Sequence, residues 1–149
     1  MTDLVIEEID DADLARTWPV MSELRPHLNE AEYRAMVTRM RVSDGFRVFT
    51  ASRDGVVVGV AGVRPMELLY CGRILQIDDL VVRETERSGG VGKALLDYVK
   101  AEARTLGAQG YIWIQACSER TPIAFMTARA SNGSAITSGS SSEQLSNFA

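Results

Sequence analysis

The stretch from Ile74 to Leu96, ILQIDDLVVRETERSGGVGKALL, constrains this chain more than any other. A β-branched apolar run ends at Val82, a polar loop with paired glycines follows, and a segment of high helix propensity begins near Gly90. Such a join gathers unpaired backbone N–H groups and the positive end of a helix dipole at one point, which suits an anion such as phosphate. Glycine is needed there because a Cβ would hold the backbone away from the ligand. Two common nucleotide loops do not fit the spacing. For GxxxxGK[ST], Arg87 occupies the first glycine position and Ala94 the position of the magnesium-binding hydroxyl. For GxGxxG, Gly90 and Gly92 are followed by Leu95 where the third glycine belongs.

Upstream, LVIEEI at residues 4–9 alternates apolar and polar side chains as a half-buried strand does. Asp10–Asp13 offer N-caps for a helix predicted to run to about Arg25 and to stop at Pro26. Residues 29–42 suit a second, short amphipathic helix, and the loop RPHLN between the two holds the single histidine, His27. FRVFTAS at 46–52 and GVVVGVAGVR at 55–64 are strand-like and flank Asp54-Gly55, a hairpin signal. A longer strand is expected from about Leu69 to Val82. The helix after it carries Val91, Leu95, Tyr98, Val99, Ala103 and Leu106 at helical period and ends at Gly107. YIWIQAC at 111–117 reads as a further buried strand.

A length of 149 residues points to one domain with one core. The net charge of −4 argues against a nucleic-acid partner, whose binding leans on Lys and Arg. No apolar run approaches the ~20 residues that span a bilayer, and the acidic start MTDLVIEEIDDAD lacks the order of a secretory signal. The expected compartment is the cytoplasm. Cys71 and Cys117 stand far apart without a CxxC pattern or histidine-rich neighbourhood, so reduced buried thiols are expected and no metal site.

The segment Arg87-Ser88-Gly89-Gly90-Val91-Gly92 has the form [RQ]xxGx[GA], after a strand written IDDLVV and before the helix KALLDYV. It resembles the pyrophosphate-binding segment of the GNAT superfamily of acetyl-CoA-dependent N-acetyltransferases. The LRPHL loop, the strands around Gly-Val-Ala-Gly, LQIDDLVV, the loop and helix, and the next strand keep that superfamily's order over about residues 4–120. The resemblance implies an α+β fold: a mixed, twisted sheet flanked by helices, whose fourth and fifth strands splay apart to admit coenzyme A. It assigns the backbone of Leu80, Val81 and Val82 to the pantetheine arm and the N–H groups of Ser88, Gly89, Gly90, Val91, Gly92 and Lys93 to the pyrophosphate, with Arg87 shaping the loop. Lys93 either adds charge there or is simply solvated. Glu84 and Glu86 oppose phosphate by charge, so directed N–H donors must carry the binding.

The chemistry the family implies is direct attack of an amine, on a small molecule or peptide, upon the acetyl thioester. That needs a base, a donor for the developing oxyanion and an acid for the departing thiolate. The N–H near Val81 is the expected oxyanion donor. Asp78 and Asp79 are candidate bases, and side-chain alternation along a strand expects only one of them to face the cleft; a base relayed through water, or a purely structural Asp–Arg pair, remains the alternative. His27 either contacts the acceptor or is a surface histidine.

The C-terminus departs from the family. Relatives place a tyrosine in a short helix after the fifth strand, in a segment like AHRFYxxxGF, and then add two closing strands; here Met126 follows Phe125, and a thioether has no proton to donate. Residues 1–120 therefore read as an incomplete acetyl-CoA-binding domain and 121–149 as an aberrant Ser/Gly-rich segment. Codons for residues 121–142, read one base out of step, permit AHRFYDRAGFERLGHHVRFEL, which holds the family's tyrosine and an alternating terminal strand. A frameshift, an unrelated natural tail and a docking linker are the three readings. Loss of the closing strands would remove apolar side chains worth roughly 1.5–3 kcal/mol each when buried and bare the edge of YIWIQAC, favouring a homodimer or poor solubility. Function then divides into an active N-acetyltransferase, an acetyl-CoA-binding protein of weak activity, and a domain that kept only the fold. Resequencing across codons 115–150 is expected to show a frame encoding AHRFY; a gene in which no frame does so removes the frameshift account.

Overall fold

A computed structural model describes residues 3–69, 72–107, 110–114 and 125–129, the last two stretches by backbone course and strand pairing alone. The strands are β1 (Val5–Ile9), β2 (Arg47–Arg53), β3 (Val56–Leu68), β4 (Gly72–Val82), β5 (Gly110–Ile114) and β6 (Phe125–Arg129). They lie side by side in chain order in one sheet. All neighbours are antiparallel except β4 and β5, which are parallel. A parallel pair requires a crossover, and α3 (Val91–Thr105) supplies it. The remaining helices, α1 (Trp18–Leu24) and α2 (Glu30–Asp44), connect β1 to β2.

The first predicted helix is shorter than its sequence suggested. Asp10 spends its carboxylate on the N–H groups of Ala12 (3.0 Å) and Asp13 (3.3 Å), which fixes a turn rather than a helix start. A 3-10 turn, Leu14–Thr17, follows. The α-helix proper begins at Trp18, with Pro19 in its first turn, where a missing N–H costs nothing. It ends at Leu24 because Pro26 forces Arg25 out of the helical region. α2 starts on a capping box in which the Asn29 side chain accepts from Glu32 N–H (2.9 Å) and the Glu32 carboxylate accepts from Asn29 N–H (3.0 Å). The Asp54-Gly55 hairpin forms as expected, both residues at positive φ (50° and 74°).

Alternation along the strands sorts the apolar side chains onto two faces. On one face Phe49, Leu75 and Ile77 pack beneath Val91, Leu95 and Val99 of α3. Those helical residues recur every fourth position and are fully buried, as their period predicted, whereas Leu106 is 41% exposed at the helix end. On the other face Phe46, Val48 and Val60 pack with Val20, Tyr33 and Val37 from α1 and α2. Arg47 joins elements at the sheet edge by pairing with Glu8 (2.7 Å) and Glu102 (2.8 Å), with its guanidinium over the Phe49 ring.

Two expectations need correction or placing. The predicted bare edge of the fifth strand is covered: β6 pairs antiparallel with β5 from Ile114↔Phe125 to Gly110↔Arg129, so the sheet ends on β6. The segment FMTAR, apolar around a β-branched threonine, suits a strand better than a helix, and Met126 lies opposite Trp113. Cys71, Cys117 and residues 130–149 lie outside the described residues.

Gly59 sets the approach of α3 to the sheet. A Cβ added there would lie 2.8 Å from Val91 Cγ1 and 3.0 Å from Leu95 Cδ1, closer than carbon atoms can pack. Gly59→Ala is expected to destabilise by roughly 1–3 kcal/mol, the usual cost of overpacking, measured by urea unfolding. An unchanged midpoint would show that α3 can shift outward freely.

Candidate functional site

The site is organised by an irregularity in β4. Gly62 of β3 pairs with Asp79, but its neighbour Val63 pairs with Ile77, so Asp78 is an extra residue with no partner opposite. Such a bulge breaks the two-residue alternation. Before it, Leu75 and Ile77 face α3; after it, Leu80 and Val82 do. The phase flips between them, and Asp78 and Asp79 consequently both project to the α1–α2 face. The expectation that only one carboxylate could face the cleft is thereby overturned: strict alternation does not survive the inserted residue.

Each carboxylate meets its own arginine. The Arg25 guanidinium donates to Asp79 Oδ1 from Nε (2.9 Å) and from a terminal nitrogen (2.5 Å). Arg64, on the facing strand, donates to Asp78 Oδ2 from Nε (2.6 Å) and forms an ion pair with it through a terminal nitrogen (2.5 Å), and Gln76 donates to Asp78 Oδ1 at 2.6 Å. Asp79 is largely shielded from solvent, with 15% of its side chain exposed. Burial raises its carboxyl above the ordinary aspartate range; Arg25 pulls the other way, and the neighbouring Asp78 adds to the rise.

These pairs form the polar end of a cavity of about 440 Å³ between β2–β4 and α1–α2. Its other wall is apolar and includes Met21, Tyr33, Met36, Met40 and Phe46. Tyr33 is not available to solvent chemistry, since its hydroxyl is bound to Thr17 Oγ1 at 2.7 Å and burial raises its pKa. His27 lies exposed on the cavity's rim.

Among the described residues, the parallel pairing of β4 with β5 runs from Ile74↔Gly110 to Ile77↔Trp113, and its antiparallel pairing with β3 continues to Val82. Arg83 N–H donates to Val58 O at 2.8 Å in that same register. Alternation then directs the N–H of Val81 toward Val60, and the polar groups of Leu80 and Val82 to the side away from β3. This changes the expected donor: Leu80 and Val82, not Val81, direct their N–H groups to the side away from β3. Arg87 caps the same side by donating from Nε to Val82 O (3.4 Å).

The loop leading to α3 is a 3-10 turn, Glu84–Glu86, followed by Arg87–Gly90. Gly89 N–H is already bonded to Glu86 O (3.1 Å), so of the predicted donors Gly89 is engaged within the loop. Gly90 enters α3 at φ 76°, a left-handed conformation that only glycine adopts easily, and supplies no side-chain cap. The first intrahelical bond is Ala94 N–H to Gly90 O, 3.0 Å, which leaves the N–H groups of Val91, Gly92 and Lys93 pointing out of the helix end. Lys93 is 81% exposed in its side chain and paired with Asp97 at 2.8 Å, on the solvent side of the helix.

Three arginines escaped the sequence reading. Arg64 could have been found, because an aspartate inside an apolar strand needs a partner and Arg64 lies across the hairpin from it. Arg25 could not, since only the fold brings it to a residue 54 positions away. Arg53, read only as hairpin, reaches the loop before α3: its terminal nitrogen donates to Gly89 O at 3.4 Å, and Nε lies 3.5 Å from Glu86.

A bulged strand that runs through a short loop into a helix N-terminus without a side-chain cap presents backbone donors suited to an anionic ligand. The acetyltransferase (GNAT) family model matches residues 12–129, and the chain belongs to that family. An uncharacterised N-acetyltransferase YhdJ of Bacillus subtilis (strain 168) is 32% identical over 93 residues, which cover 62% of this chain and 66% of the relative. An acetyltransferase of Trypanosoma brucei superposes with a TM-score of 0.63 at 26% identity, over 79% of this chain and 85% of that one. The fold is shared with a GNAT acetyltransferase of Staphylococcus aureus, with a TM-score of 0.67 and 16% identity over 92% of this chain and 98% of that one. It is also shared with aminoglycoside acetyltransferase AAC(6')-Iy, solved with a CoA bisubstrate analogue, with a TM-score of 0.68 and 19% identity over 80% of this chain and 83% of that one. Among the described residues no helix is long and apolar enough to cross a membrane, and no cluster of His, Cys, Asp and Glu could hold a metal ion.

The raised Asp79 carboxyl has a defined effect on stability. Its folded-state proton affinity exceeds that of the unfolded chain, so its contribution is fullest below the ordinary aspartate range and is lost as pH rises through the raised value. Arg25 is the largest influence opposing that rise. Arg25→Met is expected to move the Asp79 carboxyl titration, followed by carbon NMR, to still higher pH, and to steepen the loss of stability from mildly acid to neutral pH. A downward move would show that the pair does not hold in solution.

Proposed function

We propose that the chain transfers an acetyl group from acetyl-CoA to an amine. The observation that carries this reading is the continuity of β4: the strand that holds the two carboxylates runs through one short loop into the uncapped N-terminus of α3. The residues present fit the cofactor. N–H groups of Val91, Gly92 and Lys93 face a common point, the Gly90 conformation leaves that point clear of side chain, and Leu80 and Val82 offer strand-like hydrogen bonds to an extended amide-bearing arm. When bound, acetyl-CoA supplies the thioester carbonyl that the amine attacks.

The chain's own residues then divide the work. The cavity of α1, α2 and β2–β4 holds the acceptor with its nitrogen beside Asp78 and Asp79. Asp79, whose carboxyl is raised by burial, takes the proton that the ammonium loses, and Arg25 keeps it oriented and steadies the charge between turnovers. The N–H of Leu80 or Val82 would donate to the thioester oxygen as negative charge gathers on it, and the released thiolate would take its proton from water. Arg87 and Arg53 hold the loop in shape.

A second reading, acetyl-CoA binding with slow transfer, is favoured by Met126. It stands where relatives carry the tyrosine that protonates the departing thiolate, and a missing general acid slows such a step by about 10²–10⁴-fold. Calorimetry and thiol release separate the two: heat with rapid release supports transfer, heat without release supports binding alone, and no heat at high micromolar acetyl-CoA removes both.

Gly92→Asp isolates the anion site from folding. A Cβ at Gly92 meets only Val82 Cγ2, at an ordinary 3.5 Å, and an aspartate in the first turn of a helix is favoured by the dipole. Stability is expected to hold or rise while CoA affinity falls at least tenfold by calorimetry. Unchanged affinity would place the cofactor elsewhere.

A further inference from the structure

We infer that the acceptor is a monoamine with an apolar body and not a polycation; the inference rests on the acetyl-transfer reading of the same cavity. The charge balance of the cavity is the first ground. Among the described residues lining it, the two carboxylates are Asp78 and Asp79, and each is already matched by an arginine that lines it too. These four lining charges cancel, and Asp44, outside the lining, approaches Arg64 only at 3.9 Å. A ligand bearing several ammonium groups would have to desolvate each of them beside two guanidinium ions without an unmatched carboxylate among those residues to receive it, a costly exchange. One amine that gives up its proton on the way to reaction makes no such demand.

The second ground is the wall opposite. Met21, Met36 and Met40 lie with Tyr33 and Phe46 around the cavity, and unbranched thioether chains adapt to ligand shape and pack well on aromatic rings. Met36 remains 39% exposed although it belongs to the helix face that lines the cavity. It is apolar surface that a bound aliphatic or aromatic group would remove from water. The volume of about 440 Å³ suits a small molecule of that kind. The fold neighbours include aminoglycoside acetyltransferases, so the two acceptor chemistries are directly opposed.

The full chain, with acetyl-CoA, is assayed by thiol release against hexylamine and 2-phenylethylamine on one side and kanamycin and spermine on the other. The same four amines are titrated by calorimetry into CoA-saturated protein, and into protein alone. A monoamine kcat/KM at least tenfold above that of either polycation is expected. Met36→Glu should lower the monoamine value at least tenfold, with Met36→Gln intermediate and the urea midpoints of both variants unchanged. Calorimetric preference for monoamines without thiol release would support the inference while removing the transfer reading. Preferential acetylation of a polycation would overturn the inference and leave transfer standing. Absence of binding by any amine, or a preference untouched in both Met36 variants, would also overturn it.

Discussion

The inserted residue at Asp78 is the constraint on which the rest depends. A regular β3–β4 ladder would send Asp79 to the α3 face, among Leu75, Ile77 and Leu95, where a carboxylate has no partner and its desolvation would oppose folding. One extra residue rotates it to the opposite face, beside Asp78 and within reach of Arg25. The same rotation restores Leu80 and Val82 to α3 and Val81 to the core of α1 and α2. A local break in the ladder thus reconciles two apolar cores with a pair of charges.

The bulge also lies beside the join to α3, whose position over the sheet depends on the missing side chain of Gly59. Carboxylates, the outward N–H groups of Leu80 and Val82, and the helix N-terminus follow one another within the stretch from Asp78 to Lys93, so a single strand–loop–helix unit carries the recognisable part of the site.

Much of this was legible in the chain itself. The period of Val91, Leu95, Val99 and Ala103, the Asp-Gly hairpin and the glycine loop are local signals, and local physics decides them. The family resemblance rested on the same local stretch, Arg87–Gly92. What the sequence hid is relational. A bulge adds a residue without changing composition, so IDDLVV reads as an even strand; the Arg25–Asp79 pair joins residues far apart in the chain; and the reach of Arg53 to Gly89 exists only once the hairpin lies over the loop. The fate of FMTAR as β6 likewise depended on β5 being available to pair.

The loop RPHLN is held at both ends: Arg25 is fixed to Asp79, and Asn29 is locked into the first turn of α2 by its reciprocal bonds with Glu32. Pro26 restricts the middle further. Three residues between two anchors have little conformational freedom left to lose, so an acceptor entering there would find its entrance already ordered. Affinity at this site would then be limited less by the entropy of closing a loop than by the fit between ligand and wall.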